Sequence, residues 1–136
     1  MKIFIVASKH NYQHIPDIAR ELKRAGHSIT YPNSFRDPFS EDRVRGISPE
    51  EHIKFKQKFF KDQLLKISKV DAILVVNENK GEQKNYIGGA TFLEMYDAWR
   101  MKKKIFLLNP IPEGMLADEI TGFSPLIINR DLTLIG

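Results

Sequence analysis

The sequence contains no cysteine, which removes disulfides, thiolate metal sites and cysteine nucleophiles at once. It has no G-x-x-x-x-G-K-[ST] run, so it is not a P-loop nucleotide hydrolase, and no G-x-G-x-x-G dinucleotide fingerprint. No apolar stretch reaches the length of a membrane span. Met1-Lys2 leads straight into Ile3-Phe4-Ile5-Val6-Ala7, without the length or flanks of a signal peptide. Repeats and low-complexity tracts are missing. Charge imbalance is also small: 21 Lys and Arg against 17 Asp and Glu give a net charge of +4, with the basic residues scattered as on solvated faces. The expectation is a cytoplasmic protein that binds neither nucleic acid nor membrane. Among the four histidines only His10 and His14 have a metal-type spacing, and that pair straddles a loop and a helix start, so no metal site is assigned.

What is present reads as one α/β domain spanning residues 1–136. Residues 3–7 form a continuous apolar run, the pattern of a strand buried on both faces of a parallel sheet. A polar loop at 8–12 follows, and then Ile15, Ile18, Ala19 and Leu22 recur at helical spacing until Gly26. A short strand at 28–31 precedes a connection at 32–49 with three prolines and many charges, long enough to be a lid or a mobile segment. Ser48-Pro49-Glu50-Glu51 is a strong helix start, with a serine cap and Glu51 completing a capping box, and predicts a helix to about residue 68.

Residues 70–77 are the clearest buried strand. A polar loop at 78–84, a helix from the glycine turn to about Met101, a strand at 105–108, a short helix at 116–120 and a strand at 126–128 complete the order. This alternation predicts an open, mostly parallel five-stranded sheet with helices on both faces, Rossmann- or flavodoxin-like. In such sheets ligands bind at the carboxyl ends of strands, which brings the loops at 8–12, 77–89 and 109–113 into one crevice, with 32–49 as cover.

The stretch Asn85-Tyr86-Ile87-Gly88-Gly89-Ala90-Thr91-Phe92-Leu93-Glu94 carries the sharpest signal. Adjacent glycines permit positive φ and close approach to a ligand, and unpaired N–H groups at the helix start suit an anion. Glu94 falls in the first turn or two, where the macrodipole favours its ionised form. Thr91-x-x-Glu94 also fits a capping box, in which Glu94 would only bond the backbone N–H of Thr91. Asp62 can pair with Lys58 or Lys66 on its own helix, Arg36, Arg43 and Arg45 are lid cations able to clamp phosphate, and Tyr12, Tyr86, Phe35 and Phe39 are loop aromatics able to stack on a base.

The strand at 70–76, the glycine-containing loop, Ala90-Thr91-Phe92-Leu93-Glu94 and Lys104-Ile105-Phe106-Leu107-Leu108 together resemble the nucleoside 2-deoxyribosyltransferase-like superfamily, which includes the 2′-deoxynucleoside 5′-phosphate N-hydrolases. The resemblance is to a divergent branch. It implies cleavage or exchange of the N-glycosidic bond of a 2′-deoxynucleoside or its 5′-monophosphate, with Glu94 as nucleophile and Asp62 assisting. Ser8, Lys9, His10, Asn77, Gly88, Gly89 and Thr91 would bind the small-molecule nucleoside or nucleotide. No cofactor is required, and a homo-oligomer is implied, with Tyr96, Trp99 and Met101 as candidate contacts. The chain departs from the family pattern at Gln63, where an acid is expected, and at Gly88, where a polar side chain is common. These departures leave a non-catalytic nucleotide-binding module of the same fold as the alternative.

Overall fold

A computed structural model describes residues 1–136. Five strands, β1 (Lys2–Val6), β2 (Ser28–Thr30), β3 (Ala72–Val75), β4 (Lys104–Leu107) and β5 (Leu126–Ile127), form one sheet in the order β2-β1-β3-β4-β5. Every pairing is parallel. The helices are α1 (Ile15–Arg24), α2 (Ser40–Ile47), α3 (Pro49–Ser68), α4 (Gly89–Arg100) and α5 (Ala117–Gly122), with 3₁₀ turns at Lys9–His14 and Leu132–Leu134. No helix is long and apolar enough to cross a membrane.

The continuous apolar runs work as the strand pattern requires, because successive residues alternate between two cores. Ile3, Ile5, Leu74 and Phe106 pack with Ile15, Ile18 and Leu22 of α1 and with Leu132 on one face. Phe4, Val6, Ile73, Val75 and Leu107 pack with Ile67 of α3, Met95 and Ala98 of α4 and Ile120 of α5 on the other. The predicted α3 start is realised: the Ser48 hydroxyl accepts from the Glu51 N–H at 3.1 Å, with Pro49 in the first turn.

Three features differ from the expectations. The segment 32–49 is not wholly irregular; it contains α2, which has no buried residue and packs against α3. Neither Gly88 nor Gly89 has positive φ; in this loop the left-handed residues are Asn85, at φ 55°, and Gly81. The Asn85 N–H is held by the Asn79 side chain at 3.0 Å, which secures that conformation. Finally, the capping box at Thr91 does not form, because the cap residue is Gly88 and α4 begins two residues before Thr91.

Candidate functional site

The order of the sheet reverses between β1, whose first crossover leads outward to β2, and β3, which lies on the other side of β1. The chain leaving β1 and the helix following β3 diverge there and open a crevice at the strands' carboxyl ends. A cavity of about 400 Å³ occupies it. Ala7, Ser8, Lys9, His10 and Tyr12 form one wall, Tyr86 to Thr91 without Ile87 a second, and residues of the 32–45 segment together with His52, Lys56 and Phe59 of α3 a third. Glu94 opens into it.

Glu94 is placed there by helix periodicity. Thr91, Glu94, Met95 and Ala98 form the buried stripe of α4, so an ionisable residue stands where the pattern calls for an apolar one. Only 4% of Glu94 is exposed. Burial drives its pKa from an ordinary 4.5 to about 8; the Lys66 ammonium opposes the shift and Asp97 adds to it. The sequence expectation of an ionised Glu94 therefore fails for a physical reason: the dipole contributes at most a kcal/mol or so near the first turn, less than desolvation costs. The neighbouring groups direct their hydrogen bonds elsewhere. Lys66 Nζ donates to the Tyr31 carbonyl at 2.8 Å, and Gln63 Nε2 donates to Asp97 Oδ2 at 2.9 Å. Burial, and then the charge of Glu94, pushes the Tyr12 phenol strongly up, so it stays protonated beside the carboxyl.

A Lys66→Met substitution removes the cation that restrains Glu94. The midpoint of Glu94 ionisation, followed by NMR of the carboxyl carbon, is expected to rise from about 8 by roughly one pH unit. An unchanged midpoint would show that the two charges do not interact.

Seven of the nine site candidates, Ser8, Lys9, His10, Gly88, Gly89, Thr91 and Glu94, line this one cavity. The other two do not. Asp62 lines a neighbouring depression with Asn33, Ser40, Phe55 and Lys58, which shares Ser34 and Phe59 with the main cavity, and its carboxylate pairs with Lys58 at 2.7 Å. Its neighbour Gln63 turns inward, 2% exposed, so the side-by-side placement on α3 sends the amide rather than the acid toward α4. Asn77 is also taken out of the site. Its Nδ2 donates to the Asn109 and Pro110 carbonyls at 3.0 and 3.1 Å, and its Oδ1 accepts from the Asn109 N–H at 2.9 Å. This clamp ties the loop after β4 to the end of β3, and residues 109–113 contribute nothing to the cavity, contrary to the three-loop expectation.

Of the lid cations, Arg45 lines the cavity while Arg43 is occupied by Asp37. Tyr12 and Tyr86 line it, whereas Phe35 stacks on Tyr31 at 5.0 Å and Phe39 stays 64% exposed. The place of a side chain at Gly88 is partly taken by Tyr86, whose hydroxyl would stand 3.3 Å from a Cβ there. A polar group thus reaches the missing position from two residues upstream. Glu41, Asp42, His52 and Lys56 were not singled out by the sequence; they belong to the cavity because α2 folds back on α3. His10 is held below its ordinary pKa by burial and by Lys80 and Lys9, while His14 faces Glu78 at 3.6 Å. No group of three or more His, Asp or Glu side chains is arranged to hold a metal ion.

A scan against protein-family models and a search of curated proteins both find no match. Among solved structures, the chain is similar to the CMP N-glycosidase BcmB of Clostridium botulinum, at 18% identity and a TM-score of 0.55, covering 95% of this chain and 90% of that one. The likeness establishes a shared α/β fold.

Proposed function

We propose that this protein cleaves the N-glycosidic bond of a nucleotide, with Glu94 as the nucleophile. The observation that carries the reading is a buried carboxyl opening into a cavity at the first turns of α4, beside unpaired backbone N–H groups, in a fold shared with a CMP N-glycosidase. The substrate class is a 2′-deoxynucleoside or its 5′-monophosphate.

In the proposed reaction the ionised Glu94 attacks C1′, the C1′–N bond breaks, and its electron pair leaves with the base, which takes up a proton. Water then cleaves the glycosyl ester and restores the carboxylate; a second base in place of water gives transfer. Tyr12, kept protonated and lining the same cavity, donates a hydrogen bond to the sugar in this reading, in place of Asp62, which pairs with Lys58. The N–H groups at Gly89 and Ala90 hold an anionic or polar part of the substrate. Because the ionised form is the nucleophile, kcat/KM is expected to climb with pH and level off above about 8. A profile falling over that range would assign Glu94 as an acid instead.

A second reading, nucleotide binding without turnover, is favoured by the neutral state of Glu94 at pH 7 and by the absence of Asp62, paired with Lys58, from the cavity's lining. Thermal stabilisation by nucleotides with no product by mass spectrometry would establish it. The homo-oligomer expectation has a surface to act on. Tyr96 and Trp99 are 42% and 51% exposed and stack at 6.1 Å beside Phe123. If a second copy packs there, Trp99→Asp is expected to shift the sedimentation coefficient to that of a monomer; an unchanged value removes this face from assembly.

A further inference from the structure

The lid side of the cavity holds an unusual concentration of paired charge. Three permanent cations, Lys9, Arg45 and Lys56, line it together with His10 and His52, against two lid carboxylates, Glu41 and Asp42, and the deep Glu94. The two lid acids sit in the first turn of α2. One oxygen of Glu41, Oε2, meets three nitrogen groups: His52 Nε2 at 2.8 Å, Lys56 Nζ at 2.9 Å and Arg45 Nη2 at 3.2 Å. Asp42 is bound by Lys9 Nζ at 2.5 Å and Arg45 Nη1 at 3.0 Å. Burial alone would raise the Glu41 pKa, but the hydrogen bonds from His52 and Lys56 hold it below the ordinary carboxylate value.

Three donors converging on one anionic oxygen is how side chains grip a phosphate. The carboxylate that fills this position belongs to an element with little else to keep it there. α2 has no buried residue, and Ile47 at its end is 71% exposed, so the helix is seated mainly by ion pairs rather than by a core of its own. Partly exposed ion pairs of this kind contribute little to stability, and exchanging one anion for another across them costs little. A phosphate, with more charge and three acceptor oxygens, competes well with a single carboxylate.

We infer that Lys56, His52 and Arg45 form a phosphate-binding subsite whose place Glu41 takes, and that a phosphorylated ligand enters by displacing Glu41 and releasing α2 from α3. Glu41 is then an internal competitor: it keeps the cations apart from unphosphorylated ligands and adjusts affinity for phosphorylated ones. The nucleotide reading supplies only the rest of the ligand; the phosphate chemistry comes from Lys56, Arg45 and His52.

The test is calorimetric titration of wild type, Glu41→Gln and Lys56→Ala with inorganic phosphate, a nucleoside 5′-monophosphate and the matching nucleoside. Removing the competing carboxylate is expected to tighten phosphate and monophosphate binding roughly tenfold, and Lys56→Ala to weaken both by a similar factor, with the nucleoside unaffected by either. Unchanged or weaker phosphate binding by Glu41→Gln overturns the inference, as does an equal effect on the nucleoside. The two readings separate cleanly. Tighter phosphate binding without base release would uphold the subsite and sink the glycosidase; base release that needs Glu94, with phosphate binding indifferent to Glu41, would do the reverse.

Discussion

Glu94→Gln is expected to lose base release by at least roughly 10³-fold while making the protein more stable at alkaline pH. The two effects have one cause. In the unfolded chain the carboxyl ionises near 4.5, whereas in the native protein burial holds it neutral until about 8. Below pH 4.5 both states carry the proton and Glu94 does not affect the pH dependence. Between these values the native state retains a proton that the unfolded chain has released, so stability falls as pH rises, and the loss is complete above about 8. Gln does not titrate and keeps nearly the same shape, so the variant escapes the loss. At pH 8.5 a gain of about 2–4 kcal/mol in urea unfolding is expected, shrinking to near zero at pH 4. A residue kept for packing would show the opposite sign, because its replacement would cost stability at every pH.

Asn77→Ala is expected to be the converse case, costing stability with no direct loss of chemistry. The substitution strands the Asn109 N–H and the Asn109 and Pro110 carbonyls, which Asn77 now serves at 2.9 to 3.1 Å. These groups are part-buried and water reaches some of them, so a destabilisation of about 1–2 kcal/mol is expected by denaturant unfolding. The affinity for nucleotides, measured where the variant remains folded, is expected to match wild type. A selective loss of ligand affinity at unchanged stability would return Asn77 to the binding site.

The contrast between these two residues shows what a sequence of this kind reveals. The sheet was legible because buried parallel strands need uninterrupted apolar runs, and Ile3 to Ala7 and Ala72 to Val76 supply them. Helix α3 was legible because Ser48 and Glu51 carry its start locally. The register of neighbouring strands was not. Val75 pairs with Leu107, which sets Asn77 level with Asn109 two residues on, and only that pairing reveals that a polar residue at a strand's end serves the fold. Helix α2 escaped for a different reason: a helix seated by ion pairs has no apolar stripe to betray it.

At the site, the seven residues that share the cavity lie in the loop after β1 and along the turn and first two turns of α4 after β3, at strand ends where the topology brings ligand-binding groups together. Asp62 was misplaced because adjacent residues on a helix point about 100° apart, and here Gln63 took the inward direction. The glycines were read for their conformational freedom, yet their backbone is ordinary. What Gly89 provides is space, since nothing lies within 4 Å of a Cβ built there, on the cavity's wall.

The central claim is that Glu94 performs glycosidic chemistry on a nucleotide. The most direct measurement is free-base release from a panel of nucleosides and their 5′-monophosphates, followed by mass spectrometry at pH 8, with wild type and Glu94→Gln side by side. Base released from at least one member by wild type, and none above background by the variant, is the predicted result. Equal release by the two proteins, or nucleotides that bind and stabilise the wild type yet are recovered intact, would contradict it.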